Sequence, residues 1–153
     1  MKITAQEEYG LRCLLQLTRQ QDETVLTVKE IARREGISMA YAEKLLRLMS
    51  KAGLTHSGRG IRGGYALARP TSEITLGDVV RALGAVPSTT EICERYTGNR
   101  ASCIHIQECG IRSVWAGLTQ SIQRFLDETP LSLLMRSEAD VHQIMLQQKR
   151  AQA

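Results

Sequence analysis

Hydrophobic positions recur at helical spacing from the start of the chain. Tyr9, Cys13, Leu14 and Leu17 fall on one face of a segment from Thr4 to about Thr18, with Gln6, Glu7 and Glu8 on the other, which predicts an amphipathic helix. After the polar stretch Gln20 to Thr24, Thr27-Val28-Lys29-Glu30 has the capping-box pattern, and Ile31 and Ala32 supply the apolar side of a short helix that stops at Gly36. Ser38 is placed to cap a third helix reaching about Ala52, with Leu45, Leu46, Leu48 and Met49 as its buried side. Two short helices joined by a glycine-bearing turn form a helix-turn-helix candidate.

Beyond Gly53 the pattern changes. Leu54 to Ser57 and Tyr65 to Arg69 read as two short strands around the glycine-rich stretch Gly58 to Gly64, which predicts a β-hairpin ending before Pro70. Thr75 can cap a helix reaching Leu83, after which Gly84 and Pro87 break the order. Ser88 to Cys109 has no sustained period and reads as a loop with at most short helical pieces. Ile111, Trp115, Leu118, Ile122 and Phe125 then alternate steps of four and three residues, the seam spacing of helices that pack side by side. Thr129-Pro130 suits the N-cap and first position of a further helix, and Ser137 opens a last, polar one. The expected fold is mainly α: a winged helix-turn-helix domain (residues 1–84) with a two-stranded β wing, a cysteine-bearing loop (85–110), a long dimerisation helix region (111–136), and a C-terminal helix and tail (137–153).

A chain of 153 residues is long enough for one core and an extension that packs on a partner. Lys and Arg number 20 against 16 Asp and Glu, a net charge of +4, and where that charge sits matters more than its sum. Between Lys44 and Ser72 stand Lys44, Arg47, Lys51, Arg59, Arg62 and Arg69, and no Asp or Glu. A solvated face is the ordinary account of such a run, but its coincidence with a helix-turn-helix and a hairpin favours a phosphate-binding surface on double-stranded DNA. The third helix would enter the major groove, leaving Ser38, Ala40, Tyr41, Glu43, Lys44 and Arg47 as base readers or phosphate contacts. Glu43 either accepts from a cytosine amino group or is a surface glutamate one turn from Arg47. Arg59 and Arg62, at the hairpin tip, would reach minor-groove edges or phosphates. Gly58, Gly60 and Gly63 spell a dinucleotide-binding fingerprint, but a strand and Pro70 follow where that motif needs a helix, so the nucleotide reading fails. No apolar run approaches a membrane span, and Glu7 and Glu8 stand where a signal peptide needs apolar residues; a soluble, cytoplasmic protein is expected. No nucleophile has a neighbouring base, and His56 and His142 have no catalytic company, so an enzyme is not expected.

Glu30-Ile31-Ala32, Gly36-Ile37-Ser38, Tyr41, Glu43, Leu45 and the wing signature Arg59-Gly60 with Gly63-Gly64-Tyr65 carry a family resemblance. From Leu26 to Arg69 the chain resembles the winged-helix repressor family that includes the iron-sulfur cluster regulator IscR and the nitric oxide sensor NsrR. The resemblance implies a homodimer on a palindromic operator, with a long helix crossing to the partner subunit. The seam of Ile111, Trp115, Leu118, Ile122 and Phe125 falls where that crossing helix would lie. Two subunits would then face half-sites about one helical turn of DNA apart.

Cys93, Cys103 and Cys109 are spaced C-x9-C-x5-C just ahead of that seam. In a reducing compartment they are thiols or metal ligands rather than disulfides; thiolates bind iron well, and Arg95, Arg100 and Arg112 nearby favour the deprotonated form. Cys13, on the apolar side of the first helix, reads as a buried structural thiol. The resemblance implies an iron-sulfur cluster, 2Fe-2S or 4Fe-4S, on the three loop cysteines, although the usual first interval is five residues and here it is nine. IscR-like members place a histidine three residues after the last cysteine, where this chain has Arg112. NsrR-like members use a carboxylate from the other subunit at the position of Glu8, which is therefore the leading fourth ligand. Glu7 could exchange with it, and His105 is the alternative, which with the three cysteines would also complete a zinc site. The competing readings are a cluster-free regulator of the same fold and a zinc-stabilised interaction module.

Overall fold

In the computed structural model, which describes residues 3–19, 25–58, 63–84 and 89–151, the local signals at helix starts act as the sequence requires. Thr4 opens α1 (Ala5–Thr18) with a reciprocal capping box: its hydroxyl accepts the Glu7 N–H at 3.3 Å, and the Glu7 carboxylate takes the Thr4 N–H at 2.7 Å. α1 buries Cys13, Leu14 and Leu17, and also Gly10 and Gln16, which no hydrophobic pattern announces. The Gln16 amide, itself buried, donates to the carboxylate of Glu35. Thr27 caps α2 (Val28–Glu35) by accepting the Glu30 N–H at 3.2 Å, but only half of the expected box forms. The Glu30 carboxylate turns instead to Arg33 and Arg34, each at 2.8 Å, and these hydrogen bonds hold it at about 2.

Gly36 sits at φ 66°, the left-handed conformation that lets the Ile37 N–H reach back to the Ala32 carbonyl at 3.1 Å. Ser38 then caps α3 (Met39–Lys51), accepting the Tyr41 N–H at 3.2 Å. α3 buries Ala42, Leu45, Leu46 and Met49. Leu48, expected on that face, is only half-buried, because it lies between the Leu45 stripe and the polar edge of Lys44 and Lys51.

Strands β1 (Thr55–Gly58) and β2 (Gly64–Leu67) pair antiparallel, Thr55 opposite Leu67 and Gly58 opposite Gly64. Leu26 adds a bridge to Tyr65 through two backbone hydrogen bonds of 2.9 Å. This explains the glycine in the wing signature: a Cβ on Gly64 would stand 2.6 Å from the Leu26 carbonyl oxygen, and backbone cannot give way. The hairpin tip with Arg59 and Arg62, the stretch 20–24 and Pro87 lie outside the described residues.

Thr75 and Asp78 form a second reciprocal box at the start of α4 (Leu76–Leu83). Then come α5 (Thr89–Arg95), α6 (Gly110–Glu128), a 3₁₀ turn (Leu131–Met135) and α7 (Glu138–Ala151), at whose entry the Ser137 hydroxyl accepts the Asp140 N–H. The helix expected from Pro130 is corrected to this 3₁₀ turn. Thr129 and Pro130 are extended and bridge to Thr75, with Leu76 N–H to Thr129 O at 2.9 Å and Leu131 N–H to Ile74 O at 2.7 Å. Pairing with the segment before α4 thus overrides the local helix-start signal.

The core is one cluster from α1 to α4, closed by Leu54, Ile74 and Leu131. Leu14, Ile31, Leu45, Leu46 and Met49 are fully buried, each contributing roughly 1.5–3 kcal/mol. A row of ion pairs runs outward from it: Arg69 to Asp78 at 3.4 Å, Asp78 to Arg81 at 3.0 Å, and Arg81 to Asp127 of α6 at 2.6 Å. α6 itself buries no residue within the chain. Among the described residues no helix is long and apolar enough to cross a membrane.

Candidate functional site

Two regions gather chemistry. The first is a concavity of about 530 Å³ between α3 and the wing, lined by Ala40, Glu43, Lys44, Arg47, Lys51, Ser57 and Tyr65 among others. The buried stripe of α3 fixes its opposite edge outward, so Lys44, Arg47 and Lys51 are exposed along one side, with Ser38 and Ala40 at the helix start. The Glu43 carboxylate is held by Arg47 at 2.7 Å, the surface pairing that the spacing allowed. Tyr41 is half-buried, its ring edge-on to Tyr9 at 6.1 Å between centroids, so it fastens α3 to α1. Arg69, counted in the basic run, is engaged by Asp78 and the Glu73 carbonyl at the base of the wing. Ser57 and Tyr65 line the groove without having been expected there; their signal was the alternation of the hairpin strands, which puts one face of each toward α3.

The second region is a cavity of about 350 Å³ ahead of α6, lined by Thr90, Cys93, Thr97, Ser102, Cys103, Ile106 and Arg112 among others. Cys93 is carried there by α5, and Cys103 by a turn that the Ile106 N–H closes on the Cys103 carbonyl at 3.2 Å. Cys109 caps α6, its Sγ accepting the Arg112 N–H at 3.4 Å, and is not among the residues lining the cavity. All three thiols are free and half-buried. Cys13 is fully buried, which pushes its thiol up to about 12 and leaves it a packing residue.

Arg112 was expected near the cysteines together with Arg95 and Arg100, but those two stand exposed and only Arg112 lines the cavity. Its guanidinium donates to the Ile106 carbonyl at 2.7 Å, while its Nε is buried without a hydrogen-bond partner. A buried N–H left without an acceptor costs about 1–3 kcal/mol, so an anionic group filling the cavity would relieve a cost already present. Free, half-buried thiols beside a buried cationic donor have the chemistry an iron-sulfur centre needs. Among the described residues of one chain, no three Cys, His, Asp or Glu side chains lie close enough to hold a single ion. His105 is exposed. Glu8 is half-buried on α1 and paired with Arg12 at 2.7 Å, whereas the Glu7 carboxylate is taken by the Thr4 N–H and hydroxyl.

Along α6, Ile111, Trp115, Leu118 and Phe125 are exposed and Ile122 is half-buried; Val114, outside the expected seam, is 68% exposed.

A helix pair joined by a tight glycine turn, with a basic face on its second helix beside a β wing, defines a winged helix-turn-helix DNA-binding regulator. The chain belongs to the Rrf2 family of iron-dependent transcriptional regulators, whose family model matches residues 3–137. It is 37% identical over 136 residues to protein rrf2 of Nitratidesulfovibrio vulgaris, covering 89% of this chain and 88% of that one. It is 32% identical to the regulator IscR of Vibrio atlanticus, over 89% of this chain and 76% of that one. The solved structure of CymR, the global cysteine regulator of Bacillus subtilis, superposes with a TM-score of 0.68 at 29% identity, covering 86% of this chain and 94% of that one. These relatives are regulators of transcription and not enzymes, which also decides against the interaction-module reading.

Proposed function

We propose that the chain acts in the cytoplasm as a homodimeric repressor on a palindromic operator, and that an iron-sulfur cluster on Cys93, Cys103 and Cys109 controls its grip on DNA. The observation that carries the cluster reading is the buried, unpartnered Nε of Arg112 in the cavity onto which Cys93 and Cys103 open. The likeness to IscR supports it. Glu8 of the partner subunit completes the ligand set; the Glu8 of each chain is held only by a partly exposed arginine, so its release costs little. The uncovered apolar stripe of α6 supports the dimer, since Ile111, Trp115, Leu118, Ile122 and Phe125 have no cover within one chain. In the groove, Ser38, Ala40, Tyr41, Glu43, Lys44 and Arg47 from α3, with Arg59 and Arg62 of the wing tip, contact the duplex. Loss, oxidation or nitrosylation of the cluster frees the 85–110 segment and changes the relative placement of the two recognition helices.

Anaerobic purification with iron and sulfide analysis tests the sensor, and the ratio of iron to protein separates a two-iron from a four-iron centre. Cys103→Ala is expected to abolish both iron and sulfide and leave a folded dimer; full retention of either rejects that ligand. A second reading, thiol oxidation without a metal, is favoured by Cys93 and Cys103 sharing one cavity. It predicts colourless protein, with a Cys93–Cys103 disulfide appearing on mild oxidation.

A further inference from the structure

One side chain binds together the three segments that carry the loop thiols. The backbone N–H of Arg112 meets Cys109 Sγ at 3.4 Å. Its guanidinium holds the Ile106 carbonyl at 2.7 Å, and Ile106 in turn closes the Cys103 turn at 3.2 Å. The same side chain lines the cavity of Cys93 and Cys103. A residue serving only as a loop brace would be satisfied by these bonds, yet the Nε–H remains buried with no acceptor. Arginine stays protonated at any working pH, so this is a fixed positive charge with one unused, directed donor.

We propose that Arg112 is the positioning residue that sets the reduction potential of the cluster: its Nε–H donates to a sulfur of the bound centre, and its charge favours the reduced form. The proposal rests on the cluster reading above. Three thiolates and one carboxylate outweigh the positive charge of either cluster core, so the loaded site is anionic and gains negative charge on reduction. A cation buried beside it stabilises the reduced state more than the oxidised one, and hydrogen bonds to the sulfurs act in the same direction.

The test compares anaerobically purified wild type, Arg112→Gln and Arg112→Lys by iron and sulfide content, and by spectroelectrochemical titration with dithionite as the electron donor. Arg112→Gln is expected to keep its cluster, with the reduced-to-oxidised ratio at the wild-type midpoint lowered at least tenfold, about 59 mV for one electron. Arg112→Lys, which keeps the charge, is expected to stay within about threefold. A cluster retained by the Lys variant and lost from the Gln variant also supports the role of the charge. A fully loaded Gln variant with the wild-type midpoint overturns the proposal, as does loss of the cluster from both variants while circular dichroism shows them folded, since Arg112 would then only brace the loop. Wild-type protein free of iron and sulfide sinks the cluster reading itself, an outcome distinct from either.

Discussion

Gly10 lies buried in the middle of α1, a position where alanine would be favoured by about 1 kcal/mol on helix propensity alone. The fold predicts the opposite sign. A methyl group there would stand 2.1 Å from Leu83 Cδ1, 3.1 Å from Cδ2 and 3.2 Å from Cγ, so the whole branched end of Leu83 would have to move. Leu83 is 3% exposed and has no free space to move into. Overpacking of this kind costs about 1–3 kcal/mol, which leaves Gly10→Ala between neutral and about 2 kcal/mol destabilising. Leu83→Ala alone is expected to cost about 2–5 kcal/mol through the cavity it opens. In that background the new methyl fills part of the hole, and Gly10→Ala becomes stabilising by about 1 kcal/mol or more. Urea unfolding of the four proteins, read from midpoints at constant slope, gives the coupling directly, expected at about 1–3 kcal/mol. If Gly10→Ala stabilises equally in both backgrounds, α1 and α4 do not pack as described. The same contact bears on function, because the Gln6 amide donates to the Leu83 carbonyl and ties the start of α1, where Glu8 lies, to the end of α4.

Lys44→Ala and Arg47→Ala should each weaken operator binding and lower the slope of log affinity against log salt by roughly 0.9 if each meets one phosphate; fluorescence anisotropy between low and moderate salt measures it, and an unchanged slope removes that residue from the interface. Glu30, held at about 2 against an ordinary 4.5, contributes stability that is fully present above pH 4.5 and disappears as the pH falls toward 2. Glu30→Gln should therefore lower the Tm slightly at neutral pH, with the difference from wild type closing on acidification; a gap that widens in acid would contradict the pairing with Arg33 and Arg34.

Cap chemistry was legible because it is local. Thr4, Thr27, Ser38 and Thr75 each need only a backbone N–H two or three residues on, and no distant segment competes for them. The basic face of α3 was legible for a related reason: helical periodicity fixes which side the core takes, and Lys44 and Arg47 fall on the other. Arg69 belonged to the same charge run but faces Asp78, and no local pattern distinguishes a cation engaged within the fold from one left for a phosphate. Pro130 misled because its bridge partner, Thr75, is distant in sequence. The thiols stood out by residue type, but that Cys93 and Cys103 open on one cavity while Cys109 serves as a helix cap depends on how α5 and the following turn fold back on α6. The unpartnered Nε of Arg112 follows from that same packing, which composition and spacing do not encode.

The chain leaves α6 by a stitched seam, Thr129 and Pro130 against Thr75, with Asp127 clasped by Arg81 one turn earlier. That end is a fulcrum. A helix of 19 residues is about 28 Å long, so a tilt of roughly ten degrees about the fulcrum swings the opposite end, where Cys109 sits, through about 5 Å. Displacement is large at the sulfur end and small at the anchored one, where it arrives as a twist on Arg81, and from there through Asp78 on Arg69 at the root of the wing. The geometry is that of a long crank turning a short shaft.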